Sequence, residues 1–168
     1  VSYQSQRTDG TTVTYLSCAE TAKLLRAALK QHFPGIKFSV RSDTYSGGAS
    51  IRVAWQDGPL TRAVNDVADA FSGATFDGMI DLKSYKDPVL IGAEHVHMGA
   101  DYVFCNREVT EAHMAACIPA FEKLHGPYDP DKEYADLFHG NHVISRGPWP
   151  TEGRQALRQF AMLEVGAA

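Results

Sequence analysis

The sequence predicts an α+β fold: a single compact domain with a mainly antiparallel sheet, in which a helix-strand-strand-helix unit is followed by further strands and two helices. Three observations carry this. A capping box at Ser17 opens a stripe of helical spacing. Two segments of apolar–polar alternation follow it. Beyond them, short apolar runs precede two further helical stripes.

Residues 1–14 are polar and read as an N-terminal arm. They lack the apolar stretch of a secretion signal. Without Met at position 1, the chain reads as processed or trimmed. In Ser17-Cys18-Ala19-Glu20, Ser17 caps a helix and Glu20 reaches back to it. Leu25, Ala28 and Leu29 continue the stripe to about Phe33, and Pro34-Gly35 ends it. Ile36, Phe38 and Val40 then alternate with Lys37, Ser39 and Arg41 as a half-buried strand, and Ile51–Trp55 repeats the alternation. Asp43 to Gly48 is turn chemistry, so the pair reads as a hairpin with a long, glycine-containing tip. Pro59 starts a second helix, with Val64, Val67, Ala68 and Phe71 facing inward, and Gly73 closes it.

Phe76 to Asp81 is dense in turn residues. Val89–Ile91 and His95–Met98 read as strands, and Tyr102–Cys105, apolar on both faces, reads as a central one. Thr110 caps a third helix whose stripe is Met114, Cys117, Ile118, Phe121 and Leu124; Pro119 predicts a kink or an early break in it. Residues 127–150 form a Pro-rich excursion that includes Trp149, and Thr151 caps a last helix with Leu157, Phe160 and Ala161 turned inward. No internal repeat or linker divides the chain.

Composition narrows the function classes. The 168 residues are 44% hydrophobic, enough to bury a core without disulfides or metal. No apolar run reaches membrane-spanning length, so no membrane partner is expected. Cys18, Cys105 and Cys117 form an odd, scattered set, which fits reduced thiols and a cytoplasmic setting. The net charge is −4. Residues 1–84 hold 9 Lys and Arg against 8 Asp and Glu, and residues 85–168 hold 7 against 12. Neither half is a basic footprint for nucleic acid.

Several ordered blocks carry a resemblance: Lys37 to Ser42, Tyr45 to Ile51, Val53 to Pro59, Phe76 to Asp81 and Gly99 to Arg107. Over about residues 15–125 the chain resembles the large polyvalent protein-associated domains of phages, prophages and conjugative plasmids. The resemblance implies an α+β domain carried by mobile elements, in proteins that often act on the newly invaded cell and its defences. It implies no agreed catalytic residues.

The candidate sites are therefore read from the residues. At the hairpin tip, Arg41 and Arg52 share a sheet face and flank Tyr45, Ser46, Gly47 and Gly48. Glycine backbone there can approach a ligand, and its N–H groups can hold an anion. Trp149, between two prolines, is a candidate anchor for a partner. A catalytic set would draw on His95, His97, Asp101 and Arg107, and Cys105 could serve as nucleophile with either histidine as base. No ligand spacing of a zinc site, Walker loop or dinucleotide fingerprint is present, so neither metal nor cofactor is expected. The expected function is that of a mobile-element accessory protein that binds a host protein and counteracts host defence. The alternatives are an enzyme acting on a nucleotide, nucleic acid or protein side chain, and a nucleic-acid-binding module that uses the hairpin face.

Overall fold

Ser17 opens the first helix as the sequence predicts. In the computed structural model, which describes residues 2–145 and 151–163, Ser17 Oγ accepts the Glu20 N–H at 3.3 Å, and Glu20 Oε2 accepts the Ser17 N–H at 2.9 Å. These reciprocal bonds satisfy donors that the first helical turn leaves open. The Ser17 hydroxyl also donates to Glu20 Oε2 at 2.6 Å, and this bond, with the Ser17 N–H second, holds the Glu20 carboxyl below its ordinary pKa. The chain's contacts fall into two compact units, Val1–Trp55 with Thr61–Asn106, and Gln56–Leu60 with Arg107–Ala168.

In the first unit the elements run β1 (Tyr3–Gln6), β2 (Thr12–Tyr15), α1 (Cys18–His32), β3 (Ser39–Tyr45), β4 (Gly48–Gln56) and α2 (Thr61–Ala68). They continue with β5 (Ala74–Asp77), β6 (Leu82–Tyr85), β7 (Val89–Ile91), β8 (Glu94–His97) and β9 (Tyr102–Glu108), whose last two residues, Arg107 and Glu108, belong to the second unit. A three-stranded sheet has the order β3-β4-β9. Ala22, Leu25 and Leu29 of α1 and Val64 and Ala68 of α2 share one buried cluster with Val40, Ile51, Val53 and Trp55 of the sheet. The two helices thus cover one sheet face, and the apolar half of each alternating strand points at them. A four-stranded sheet has the order β1-β2-β8-β7, with β2 and β8 parallel and the outer pairs antiparallel. β5 and β6 form a separate antiparallel hairpin.

The second unit continues with α3 (Glu111–His125), β10 (Glu133–Tyr134), β11 (Leu137–His139), β12 (His142–Ser145), β13 (Thr151–Glu152) and α4 (Gly153–Leu163). Its core is Met114, Cys117 and Phe121 of α3 against Ala156, Leu157, Phe160 and Ala161 of α4, closed by Tyr134 and Ile144. Phe121 sits at its centre, edge-on to Tyr134 and Phe160 with ring centroids 5.5 Å away in each case. Aromatic rings favour this edge-to-face arrangement.

The predicted α+β class with mainly antiparallel pairing is found, and several local expectations are corrected. The residues of the polar arm carry the β1–β2 hairpin, in which only Val13 is buried. Among the described residues β9 is an edge strand: it lies beside β4 at one end of its sheet, and its apolar Phe104 is exposed. Pro119 does not break α3. The proline sits on the exposed side of the helix, where the carbonyl it leaves unpaired can bond water. Thr151 does not cap α4; it pairs with Tyr134 in a short ladder, and the helix starts at Gly153. Trp149 lies outside the described residues.

Candidate functional site

The hairpin tip is tighter than its sequence suggests. Asp43, Thr44 and Tyr45 stay in the strand, and Tyr45 pairs directly with Gly48. Only Ser46 and Gly47 make the turn. Gly47 takes φ +88° with open space around it, while Ser46 keeps a negative φ. This left-handed position is why glycine is needed there. Arg41 and Arg52 stand directly opposite each other in the register, and both are exposed.

The anion at the tip is the chain's own. Asp101 Oδ2 accepts the Ala49 N–H at 2.9 Å, and Oδ1 pairs with Lys83 Nζ at 2.8 Å. A Cβ on Gly48 would lie 2.5 Å from that Oδ2, so glycine is required for the carboxylate to reach the strand. The hydrogen bond to Asp101 pushes the Lys83 ammonium above its ordinary pKa. Asp101, a catalytic candidate by sequence, thus ties β6 to the start of β4 and has both oxygens engaged.

The other catalytic candidates have separate surroundings. His95 is exposed on β8. His97 stands in a row of rings, stacked on Tyr15 at 5.2 Å and tilted to Tyr85 at 6.2 Å, while Tyr15 stacks in turn on Tyr3 at 4.9 Å. Cross-strand packing of this kind stabilises a sheet. Arg107 belongs to the second unit and is 2% exposed. Its guanidinium donates to the carbonyls of Asp57, Gly58, Ala161 and Met162 at 3.2, 3.3, 3.1 and 2.7 Å. Burial presses its pKa below the ordinary arginine value, against the pull of Asp57. Burial also pushes the Cys105 thiol up to about 11, with Asp69 adding to the shift, which leaves little thiolate near neutral pH. Among the described residues, no group of three or more His, Cys, Asp and Glu side chains could hold a metal ion. No described helix is long and apolar enough to cross a membrane.

A feature that sequence reasoning passed over lies between Phe76 and Ile91. Phe76, Leu82 and Tyr85 on the β5–β6 hairpin, Met79 and Ile80 at its tip, and Val89, Leu90 and Ile91 of β7 are all exposed, Met79 at 95% and Leu90 at 63%. Asp77 Oδ1 accepts the Met79 N–H at 2.9 Å, an Asx turn that holds the tip, and Asp81 follows at φ +51°. β7 is also an edge strand, with β8 as its neighbour. The signal was present in the unbroken Val89-Leu90-Ile91 run, which does not alternate as a half-buried strand should.

The fold and these surfaces define an α+β module with an internally paired hairpin tip and an exposed apolar segment. The chain belongs to the family described as large polyvalent protein associated domain 29, whose model matches residues 16–110. No curated protein and no solved structure matches the chain. The matched segment runs from the residue before Ser17 through Thr110. It therefore takes in the hairpin tip, Asp101 and the exposed apolar segment.

Proposed function

We propose that this chain is an accessory factor of a mobile element that binds a host protein in the cytoplasm, with the β5–β6 hairpin and the β7 edge as its docking surface. The observation that carries the reading is the exposure of eight large apolar side chains between Phe76 and Ile91. By the hairpin register Phe76 and Tyr85 share one face and Leu82 the other, and exposed apolar patches mark interaction sites. Full burial of such a side chain is worth roughly 1.5–3 kcal/mol, and a partner would gain the share of it that is still exposed, which is largest at Met79.

The edge strand suggests how a partner docks. Among the described residues no strand pairs with β7 on the side away from β8, and an extended partner segment can add to such an edge as a further strand. Apolar side chains of that segment would meet Leu90 and Ile91, and the exposed hairpin tip at Met79 and Ile80 offers further apolar surface. Counteraction of a host defence is the role that best suits a host-protein binder carried by a mobile element.

The test is a tagged capture from bacterial lysate with and without nuclease, read by mass spectrometry. The parent protein should retain a specific host protein after nuclease treatment. Leu90→Lys and Met79→Lys should each release it while far-ultraviolet circular dichroism stays unchanged. Capture that both variants leave intact would exclude this surface.

A further inference from the structure

The three-stranded sheet has a second face. Ile51, Val53 and Trp55 of β4 and Val103 and Cys105 of β9 pack toward the helices, so alternation sends Arg52 and Phe104 to the opposite side. Neither α1 nor α2 covers that side. Arg41 and Arg52 are exposed there, and Phe104 is 55% exposed.

Two properties of this face call for a ligand. The first is the Arg41–Arg52 pair. Like charges directly opposed across antiparallel strands repel, and among the described residues neither arginine has an acidic partner. An anion with several oxygens would turn that repulsion into a clamp. The second is the ring pair on the next strand. Tyr102 and Phe104 lie 6.2 Å apart with planes inclined by 38°, so they do not stack on each other. The Tyr3–Tyr15–His97 row, by contrast, spends its ring faces internally.

We infer that this face binds a single strand of nucleic acid, with a phosphate between Arg41 and Arg52 and a base on Phe104. Adjacent strands lie about 4.8 Å apart, so the charged pair and the aromatic strand are within reach of one nucleotide and its neighbour. A single strand combines repeated phosphates with flat apolar bases, and stacking on aromatic side chains is how such strands are held without sequence selection. An acidic peptide would answer the arginines and leave the rings unused. A duplex hides its base faces. Asp43 shares the face of Arg41, two residues nearer the turn, and it repels a backbone that passes there.

The test is fluorescence anisotropy of the full chain with labelled oligothymidylate of roughly 15 nucleotides, the upper range for one small binding domain, beside RNA and duplex DNA of equal length. Single-stranded DNA or RNA should bind and weaken with salt. Arg41→Gln and Arg52→Gln should each weaken binding and lower the log–log salt slope by about 0.7 for each phosphate no longer neutralised. Phe104→Ala and Phe104→Leu should weaken it about tenfold without changing the slope, and Asp43→Asn should strengthen it. Because these side chains are exposed, circular dichroism should show every variant folded. No binding at low salt, equal binding to duplex, displacement by polyglutamate as effective as by oligonucleotide, or indifference to these substitutions would overturn the inference.

Discussion

Replacing Arg107 with Met should cost the second unit about 3–5 kcal/mol, a magnitude that follows from what its guanidinium holds. Four backbone carbonyls accept from it. Two of them, Ala161 and Met162, lie in the last turn of α4, where helix carbonyls have no partner of their own and a cation is favoured. Methionine keeps most of the stem's packing but donates nothing. His113 Nε2, 3.1 Å from the Ala161 carbonyl, remains as a partner there; each carbonyl left buried and unpaired costs about 1–3 kcal/mol. Relief of the arginine's own burial offsets part of that sum, while breaking a buried charged network from one side typically costs about 3–5 kcal/mol. The assay is urea unfolding followed by far-ultraviolet circular dichroism. With a denaturant dependence of about 1–3 kcal/mol per molar urea, the midpoint should fall by roughly 2 M. Arg107→Lys should fall between, since one ammonium cannot span four carbonyls. A midpoint shift below about 0.5 M for the methionine variant would refute a structural role for this arginine and return it to the candidates for chemistry.

Three further outcomes follow from the same structure. Gly48→Ala would drive a methyl group into the Asp101 carboxylate; it should lower stability by about 1–3 kcal/mol, read by thermal unfolding. Burial among Phe121 and Phe160, together with His139, holds the His125 pKa below its ordinary 6.5. The folded state therefore binds fewer protons than the unfolded one, so stability is full above about 6.5 and is lost as pH falls through the depressed value. His125→Phe should flatten that acid-side loss in unfolding curves taken across the range. Cys105, with its thiol pushed up to about 11, should react with a thiol reagent far more slowly in the folded protein than in urea; equal rates would contradict its burial.

What the sequence disclosed was local. The Ser17 capping box, the Thr110 cap, the Val64–Ala68 stripe and the β3–β4 alternation each depend on residues a few positions apart, so they are legible without knowing the fold. The failures were pairings at a distance. Nothing near Thr12–Tyr15 announces a parallel partner at His95–His97, so the segment read as a polar arm. Asp101 could be seen to precede a strand, but its partners Ala49 and Lys83 come from two other hairpins. Arg107 read as a catalytic candidate because its acceptors are main-chain carbonyls, which leave no mark in a sequence. The tip length was misjudged because Asp43 and Thr44 are common in turns yet extend the strand here. At the candidate surfaces, Arg41 and Arg52 were legible by alternation. The exposed Phe76–Ile91 segment was not, because apolar residues are ordinarily assigned to the core.

The central claim, a protein-binding surface on β7 and the neighbouring hairpin, is tested most directly by photo-crosslinking in living bacteria. A photoreactive residue would be placed at Leu90, at Met79, and at Arg158, exposed on α4 of the other unit. The account predicts a discrete protein adduct from Leu90 and Met79 and none from Arg158. Adducts of equal yield at all three positions, or none at Leu90 and Met79, would contradict it.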